Sequence, residues 1–381
     1  MPSKDSGSDK RNNKGKARLP SRAFLAVKGL AGTLLGGFIL YLLFERVSPL
    51  TVAVELARVT RVDRVKLAAA VAFIGLSYFC RTAVWKRLLA GFRDYPYWAL
   101  FRATMVGYLV NNILPARLGD VTRGAWLYRT QGGNSGSIFG SLALERVMDV
   151  ALILTLLGIS LAWLGLYYDW LVVSTALLGV LIVAFFILAA ALRRLALCDA
   201  RSLPAVLISI KEWVTRFTRL KNPRTVVAHL GDSMSVANMR RGLVWSVITW
   251  FVTFWGLYFT LASLGLTRQI GPVQAALILC VASLGIAVPS LPASLGTYQA
   301  AFVFGGMLVG VPEAQALAAS FLYQGLWVGV TSACGLAALA WEAVGGKKRF
   351  PQRPENLRTR GDNKGRRAVG RERLELRNRH R

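Results

Sequence analysis

The sequence predicts an all-α polytopic membrane protein in which six full spans and two re-entrant hairpins form an inverted repeat. Three observations predict it. Hydrophobic residues make up 54% of the 381-residue chain and charged residues only 17%, with a mean hydropathy of +0.44. The formal net charge of +28 is concentrated outside the apolar runs, in the tail before Arg22, in residues 193–241 and in the tail after Gly345. Leu-Pro-Ala-Arg-Leu-Gly at residues 114–119 recurs as Leu-Pro-Ala-Ser-Leu-Gly at 291–296, each time interrupting an apolar stretch. Proline removes a backbone donor and glycine frees the backbone, so such breaks at membrane depth unwind helices where polar groups are costly. Interrupted segments at matching places in two halves of a chain point to a transport site.

Taken in order, residues 1–22 form a basic tail, and 23–44 are long enough to cross a core of about 30 Å at about 1.5 Å per residue. That run is too long for a typical signal-peptide core and has no clear cleavage site after it, so it reads as a retained span. Residues 45–66 are amphipathic and mixed in charge, with Val52, Leu56 and Val59 at helical spacing, which predicts a segment on the membrane surface. A second span covers 67–89. Residues 97–113 are helical in pattern until the break, and 121–130, with Arg123 and Arg129, are too short and polar to span. Together they predict a hairpin entering and leaving on the cytoplasmic side. Residues 138–166 span again, and the loop 167–170 has aromatics but no Lys or Arg, as expected outside.

Residues 171–192 return to the cytoplasm, 193–241 stay there, and 243–266 cross outward. The second hairpin comprises 272–288, the break and 297–311, and it must open to the outside if the span 314–344 is to deliver a basic tail, 345–381, to the cytoplasm. That tail is expected to be disordered. The transmembrane domain, 23–344, thereby divides into halves of opposite polarity, about 23–166 and 171–344, with the two breaks on opposing hairpins. One segment goes against the charge bias: 45–66 falls outside despite a small positive excess.

Several chemistries are disfavoured. Basic residues sit in flanks and tails, not across a folded surface, which suits anionic lipid headgroups and argues against nucleic acid. Cys80, Cys198, Cys280 and Cys334 are far apart, and the only histidines are His229 and His380, so neither a disulfide framework nor a metal site is expected. No cofactor is implied, and the oligomeric state is not legible.

The polar residues inside this frame carry the chemistry. Glu145, Arg146 and Asp149 lie early in an apolar span, where an uncompensated charge costs about 3 kcal/mol or more. Glu145 and Asp149 share a helix face, and Arg146 is placed to pair with Asp149. Two carboxylates against one guanidinium leave a negative charge, which Arg117 and Arg123 on the adjoining hairpin are placed to balance. The bland alternative is an ion-pair network that only pins the hairpin to the span; ion pairs are poor value for stability alone, which favours a substrate or proton pathway. After the break at Pro115 and Gly119, a helix N-terminus near Asp120, flanked by Arg117 and Arg123, has the features of an anion site fit for a lipid phosphate. Asp120 is equally suited to capping that helix. The second tip offers Ser290, Ser294, Thr297, Tyr298 and Gln299, which are neutral donors and acceptors.

Three motifs carry a resemblance: Asn112-x-x-Pro115-x-x-x-Gly119-Asp120-x-x-Arg123 preceded by Asn111, the Glu145-Arg146-x-x-Asp149 cluster, and Pro289-x-x-Pro292-x-x-x-Gly296. They resemble the integral-membrane, flippase-like domain of lysylphosphatidylglycerol synthetases, also called multiple peptide resistance factors, over roughly 23–344. The resemblance implies moving or handling lipids, aminoacylated phospholipids included, in the bacterial cytoplasmic membrane. A glutamate common shortly after the second glycine motif is replaced by Gln299, which weakens a proton-coupled role there. The aminoacyl-transferase domain of true synthetases does not follow, so the chain is not expected to make lysyl-lipid. The expectation is a flippase-like transporter acting on a membrane phospholipid or lipid-linked substrate, with no catalytic residues. The alternatives are a membrane-embedded lipid-linked transferase, for which no DxD or phosphate loop appears, and a non-catalytic partner in a lipid or envelope biosynthesis complex.

Overall fold

The computed structural model describes residues 22–59, 63–114, 118–166, 179–180, 236–288 and 290–345. Among them are ten longer α-helices, two 3-10 turns and no strand. The chain up to Ala338 forms one compact unit, and a second begins at Leu339. The expected span 171–192, the loop 167–170 and most of 193–241 lie outside the described residues, as do both tails except for Arg22 and Gly345.

Helix α1 (Arg22–Arg46) meets α2 (Pro49–Val59) at a bend of 80°. Proline at the first position of α2 suits a helix start, and Ser48 Oγ accepts from the Thr51 amide at 3.2 Å. On α2 Val52 is buried while Leu50 and Val54 are exposed, the one-sided pattern expected of the amphipathic stretch. Helix α3 (Arg64–Leu89) starts at Asp63, whose carboxylate accepts from the Val65 amide. It packs along α7 (Val236–Ser263) more extensively than any other helix pair.

The two interrupted segments are both helix pairs. Helix α4 (Tyr97–Ile113) folds against α5 (Gly119–Gln131), and α8 (Pro272–Ala287) folds against α9 (Thr297–Leu308). At 17 and 16 residues, α4 and α8 are roughly 25 Å long, short of a full crossing. Both pairs cross closely at a glycine: a Cβ at Gly107 would lie 2.8 Å from the Gly119 carbonyl oxygen, and one at Gly285 would lie 2.7 Å from that of Thr297. The two crossings are one residue out of step with the six-letter repeat, Gly107 standing twelve residues before Gly119 and Gly285 eleven before Gly296.

Helices α6 (Ser135–Trp163) and α10 (Glu313–Gly345) complete the set. Helices α3, α7 and α10 are long and apolar enough to cross a membrane, and the bent α1–α2 pair makes a fourth if counted as one span. Helix α6 has 29 residues, ample length, but carries the three charges noted above. Short, apolar α8 lies in the main core with Leu277, Ile278, Cys280 and Ala282 buried, touching α6, α7 and α9. A separate cluster surrounds Trp85 with Leu100, Leu127 and Ile138, joining α3 to the first hairpin and α6.

Candidate functional site

Both breaks border one cavity of about 220 Å³. Leu114 lines it at the first break, and Ser290, Leu291, Ala293 and Ser294 line it at the second; α4 also touches the 3-10 turn Pro292–Ser294 directly. Helices α3, α6, α7 and α10 supply further walls, including Arg81, Arg146, Asp149, Trp250 and Trp327, together with Asn111 and Asn112 of α4, Ser283 of α8 and Tyr298 of α9.

Sequence reasoning places Asn111, Asn112, Arg146, Asp149, Ser290, Ser294 and Tyr298 at the site, and all seven line this cavity. Gly119, Asp120, Arg123 and Glu145 stand behind the first break, while Pro292, Gly296, Thr297 and Gln299 build the second without lining the space. Pro115, Arg117 and Pro289 lie outside the described residues.

The ion-pair network differs in its pairing from the sequence expectation. Asp149 is held most closely by Arg81, whose Nη1 donates to Oδ2 at 2.6 Å, and Arg146 Nη1 stands farther off at 3.7 Å. The tightest partner of Arg146 is Asp120, at 2.6 Å. That pairing takes the place of the helix-capping role considered for Asp120: the residue before α5 is Leu118, and Asp120 sits inside the first turn, within reach of α6. Trp250 Nε1 and Ser246 Oγ donate to the other oxygen of Asp149, at 3.1 and 3.4 Å. Both carboxylate oxygens therefore already hold donors.

Glu145 bridges two cations, accepting at Oε1 from Arg81 at 3.4 Å and from Arg123 at 3.1 Å. The sequence expectation that Arg123 balances this cluster fits that contact. An outward-facing role beside an anion does not: Arg123 is 2% exposed and its guanidinium lies 4.0 Å above the Trp85 ring. Stacking on an aromatic face and a buried carboxylate partner together draw it inward. Its Nε and Nη2, with Glu145 Oε2, are buried without hydrogen-bond partners among the described residues. The α5 N-terminus is partly occupied as well, since the Gly119 amide donates to Asn111 Oδ1 at 2.6 Å. This is a side-chain cap delivered from the preceding helix.

Arg81, Arg123 and Arg146 thus face Asp120, Glu145 and Asp149, three cations against three anions. The arrangement is polar all the same. Of the six, only Arg81, Arg146 and Asp149 line the cavity, so among the described residues the lining carries one excess positive charge.

The second break is built without charge. Gly296 has φ +89°, a region that favours glycine, and its amide donates to Gln299 Oε1 at 2.8 Å in a capping box. Ala293 and Ser294, at φ +56° and +63°, are also left-handed. The Gln299 amide donates to Gln324 Oε1, and Gln324 Nε2 donates to the Ala293 carbonyl at 2.8 Å, which holds the turn from α10. Seven residues along α10, on the same face, Thr331 and the adjacent Ser332 accept from Asn112 Nδ2 at 2.9 and 3.0 Å. One helix therefore fastens both breaks.

Arg81, Trp250 and Gln324 were not singled out by sequence reasoning. A usable signal existed for Arg81 and Gln324, each a polar residue within an apolar span, where such groups are rare without a role. Trp250 carried none, because tryptophan is ordinary in a membrane helix.

No curated protein and no solved structure matches the chain. Residues 29–335 match the family model described as lysylphosphatidylglycerol synthase TM region, a span that includes both hairpins, the ion-pair network and the cavity between them. With most of its length matched, this multi-pass membrane protein belongs to the lysylphosphatidylglycerol synthase TM region family.

Proposed function

We propose that the protein is a flippase-like lipid transporter, moving a polar or anionic lipid across the bacterial cytoplasmic membrane with both termini in the cytoplasm. The observation that carries this reading is the cavity at the junction of the two breaks, with Arg81 and Arg146 on its wall. A headgroup crossing the bilayer loses its hydration, and a phosphate loses most. Guanidinium groups and neutral donors inside the protein replace that hydration, while the acyl chains remain in lipid. The two hairpins, re-entrant from opposite faces in this proposal, would let the headgroup site open alternately to either side.

The test is transbilayer movement of a fluorescent anionic phospholipid by the purified full chain in liposomes, comparing wild type with Arg146→Gln and Asn111→Ala. Wild type should move the probe and both variants should slow it while keeping their elution profile in detergent. Equal rates in all three above protein-free liposomes would overturn this cavity as the headgroup site, and no movement above protein-free liposomes with several headgroups would overturn transport and favour a partner in a lipid or envelope biosynthesis complex. Reporter fusions test the topology separately. An active periplasmic phosphatase fused after Gly345 would overturn the cytoplasmic C-terminus.

A further inference from the structure

We infer that the cavity selects a hydroxyl-rich phosphodiester headgroup without an ammonium, and disfavours an aminoacylated, cationic one. This rests on the lipid-handling reading above and names its substrate class. Three features carry it.

The first is the placement of charge. Arg81 and Arg146 are the cations on the wall, and Asp149 is the only carboxylate there among the described residues. An ammonium needs a carboxylate with room for another donor, and Asp149 already faces Arg81, Arg146, Trp250 and Ser246. The remaining acids stand behind the arginines: Asp120 behind Arg146, and buried Glu145 between Arg81 and Arg123. An incoming cation meets guanidinium first; an incoming phosphate meets the same groups with attraction, strengthened by the low dielectric of the site.

The second is donor supply. The Arg146 side chain is 39% exposed, and of its five N–H donors one of the two on Nη2 is hydrogen-bonded to Asp120 while Nη1 stands 3.7 Å from Asp149, with no other hydrogen bond from that guanidinium among the described residues. A planar fork with donors to spare suits a phosphate oxygen pair.

The third is the remainder of the wall. Tyr78, Tyr108, Trp250, Tyr298, Tyr323 and Trp327 line the cavity, as do Ser283, Ser290 and Ser294; Ser283 Oγ donates to the Leu279 carbonyl and Ser290 Oγ accepts from Thr297, each hydroxyl keeping capacity for a further bond. A polyol alternates C–H and O–H groups, so its C–H face lies on a ring while its hydroxyls exchange hydrogen bonds with the serines. Ring faces also attract ammonium groups, but that attraction is weaker than repulsion by a full charge at the same distance.

The experiment measures binding and movement separately on the full chain. Binding is read from intrinsic tryptophan fluorescence, since Trp250 and Trp327 line the cavity, with three soluble phosphodiester probes: glycerophosphoglycerol, the methyl ester of a hexose 1-phosphate and the lysyl ester of glycerophosphoglycerol. Movement is read in liposomes with fluorescent phosphatidylglycerol and its lysyl ester. Wild type should prefer the two uncharged-polyol phosphates over the lysyl ester by about tenfold or more, a difference of one electrostatic contact. Arg146→Gln should lose that preference and Arg146→Lys should keep it. Tighter binding of glycerophosphoglycerol than of hexose phosphate would identify a phospholipid source, and the reverse a glycosyl-phosphate lipid. Equal or tighter binding of the lysyl ester, or no binding of any probe, overturns the inference. Selective binding without movement would remove transport and leave selectivity standing; movement of both lipids without preference would do the opposite.

Discussion

At the first break, α5 begins on an amide capped by Asn111, and three arginines and three acids lock the hairpin to α3 and α6. At the second, the same six-residue plan turns through left-handed backbone and is held by paired glutamines. Each hairpin crosses closely at a glycine, Gly107 in the first and Gly285 in the second, one residue out of step with the repeat. One backbone design has therefore been secured once by charge and once by neutral amides and strain. Charged fastenings in a low-dielectric setting are costly to disturb one at a time, whereas a strained turn fails when its conformation is denied.

The largest expected effect falls on the charged side. Arg81→Met leaves Asp149 without its 2.6 Å partner and should destabilise the fold by about 3–5 kcal/mol, whereas Arg81→Met with Asp149→Leu should be close to neutral. Thermal unfolding in detergent micelles would show this as a single variant that melts early and a double variant near wild type; a double variant as unstable as the single would mean that the pair acts by packing. Next comes the strained side. Gly296→Ala forces an unfavourable φ and drives a Cβ into the Gly36 carbonyl, for about 2–5 kcal/mol, read as loss of folded protein on size exclusion.

The neutral pair should cost less. Gln299→Leu strands Gln324 Oε1 and removes the Gly296 cap, for about 1–3 kcal/mol, with earlier protease cleavage near residues 291–296 as the readout. Cleavage that moves instead to the first hairpin would contradict the independence of the two fastenings. Smallest is Arg123→Lys, which can keep an ion pair with Glu145 but loses the planar stack on Trp85. A loss of about 0.5–2 kcal/mol is expected, accompanied by a shift in tryptophan emission.

Much of this was legible from local pattern. Residues 97–113 emerge as α4 with the same limits, Pro96 preceding the first helical residue and the backbone turning extended at Leu114. Within the amphipathic stretch 45–66, Pro49–Val59 forms a helix that leaves α1 at 80°. Partner choice was another matter. Arg146 is three residues from Asp149 in sequence, yet Asp120 and Arg81 are the closer partners, because neighbouring helices bring them nearer than the helix brings its own residues. Arg81 escaped notice because Lys86 and Arg87 follow it, so the end of its span reads as an ordinary basic flank. The fastening role of α10 depends on contacts more than two hundred residues apart, which no window of sequence displays.

The approach of Gly36 to the second break has a consequence for how the protein is made. A Cβ at Gly36 would lie 2.8 Å from the Leu291 amide nitrogen, so α1 is seated on backbone that is translated some 260 residues after it. At about 5–20 residues per second, the ribosome supplies that seat roughly 13–50 s after α1 has emerged. During that interval the glycine face of the first helix must be occupied by lipid or by the insertion machinery. Helix α1 is thus among the last to reach its native neighbours, and a stall before residue 291 would leave its glycine face without that seat.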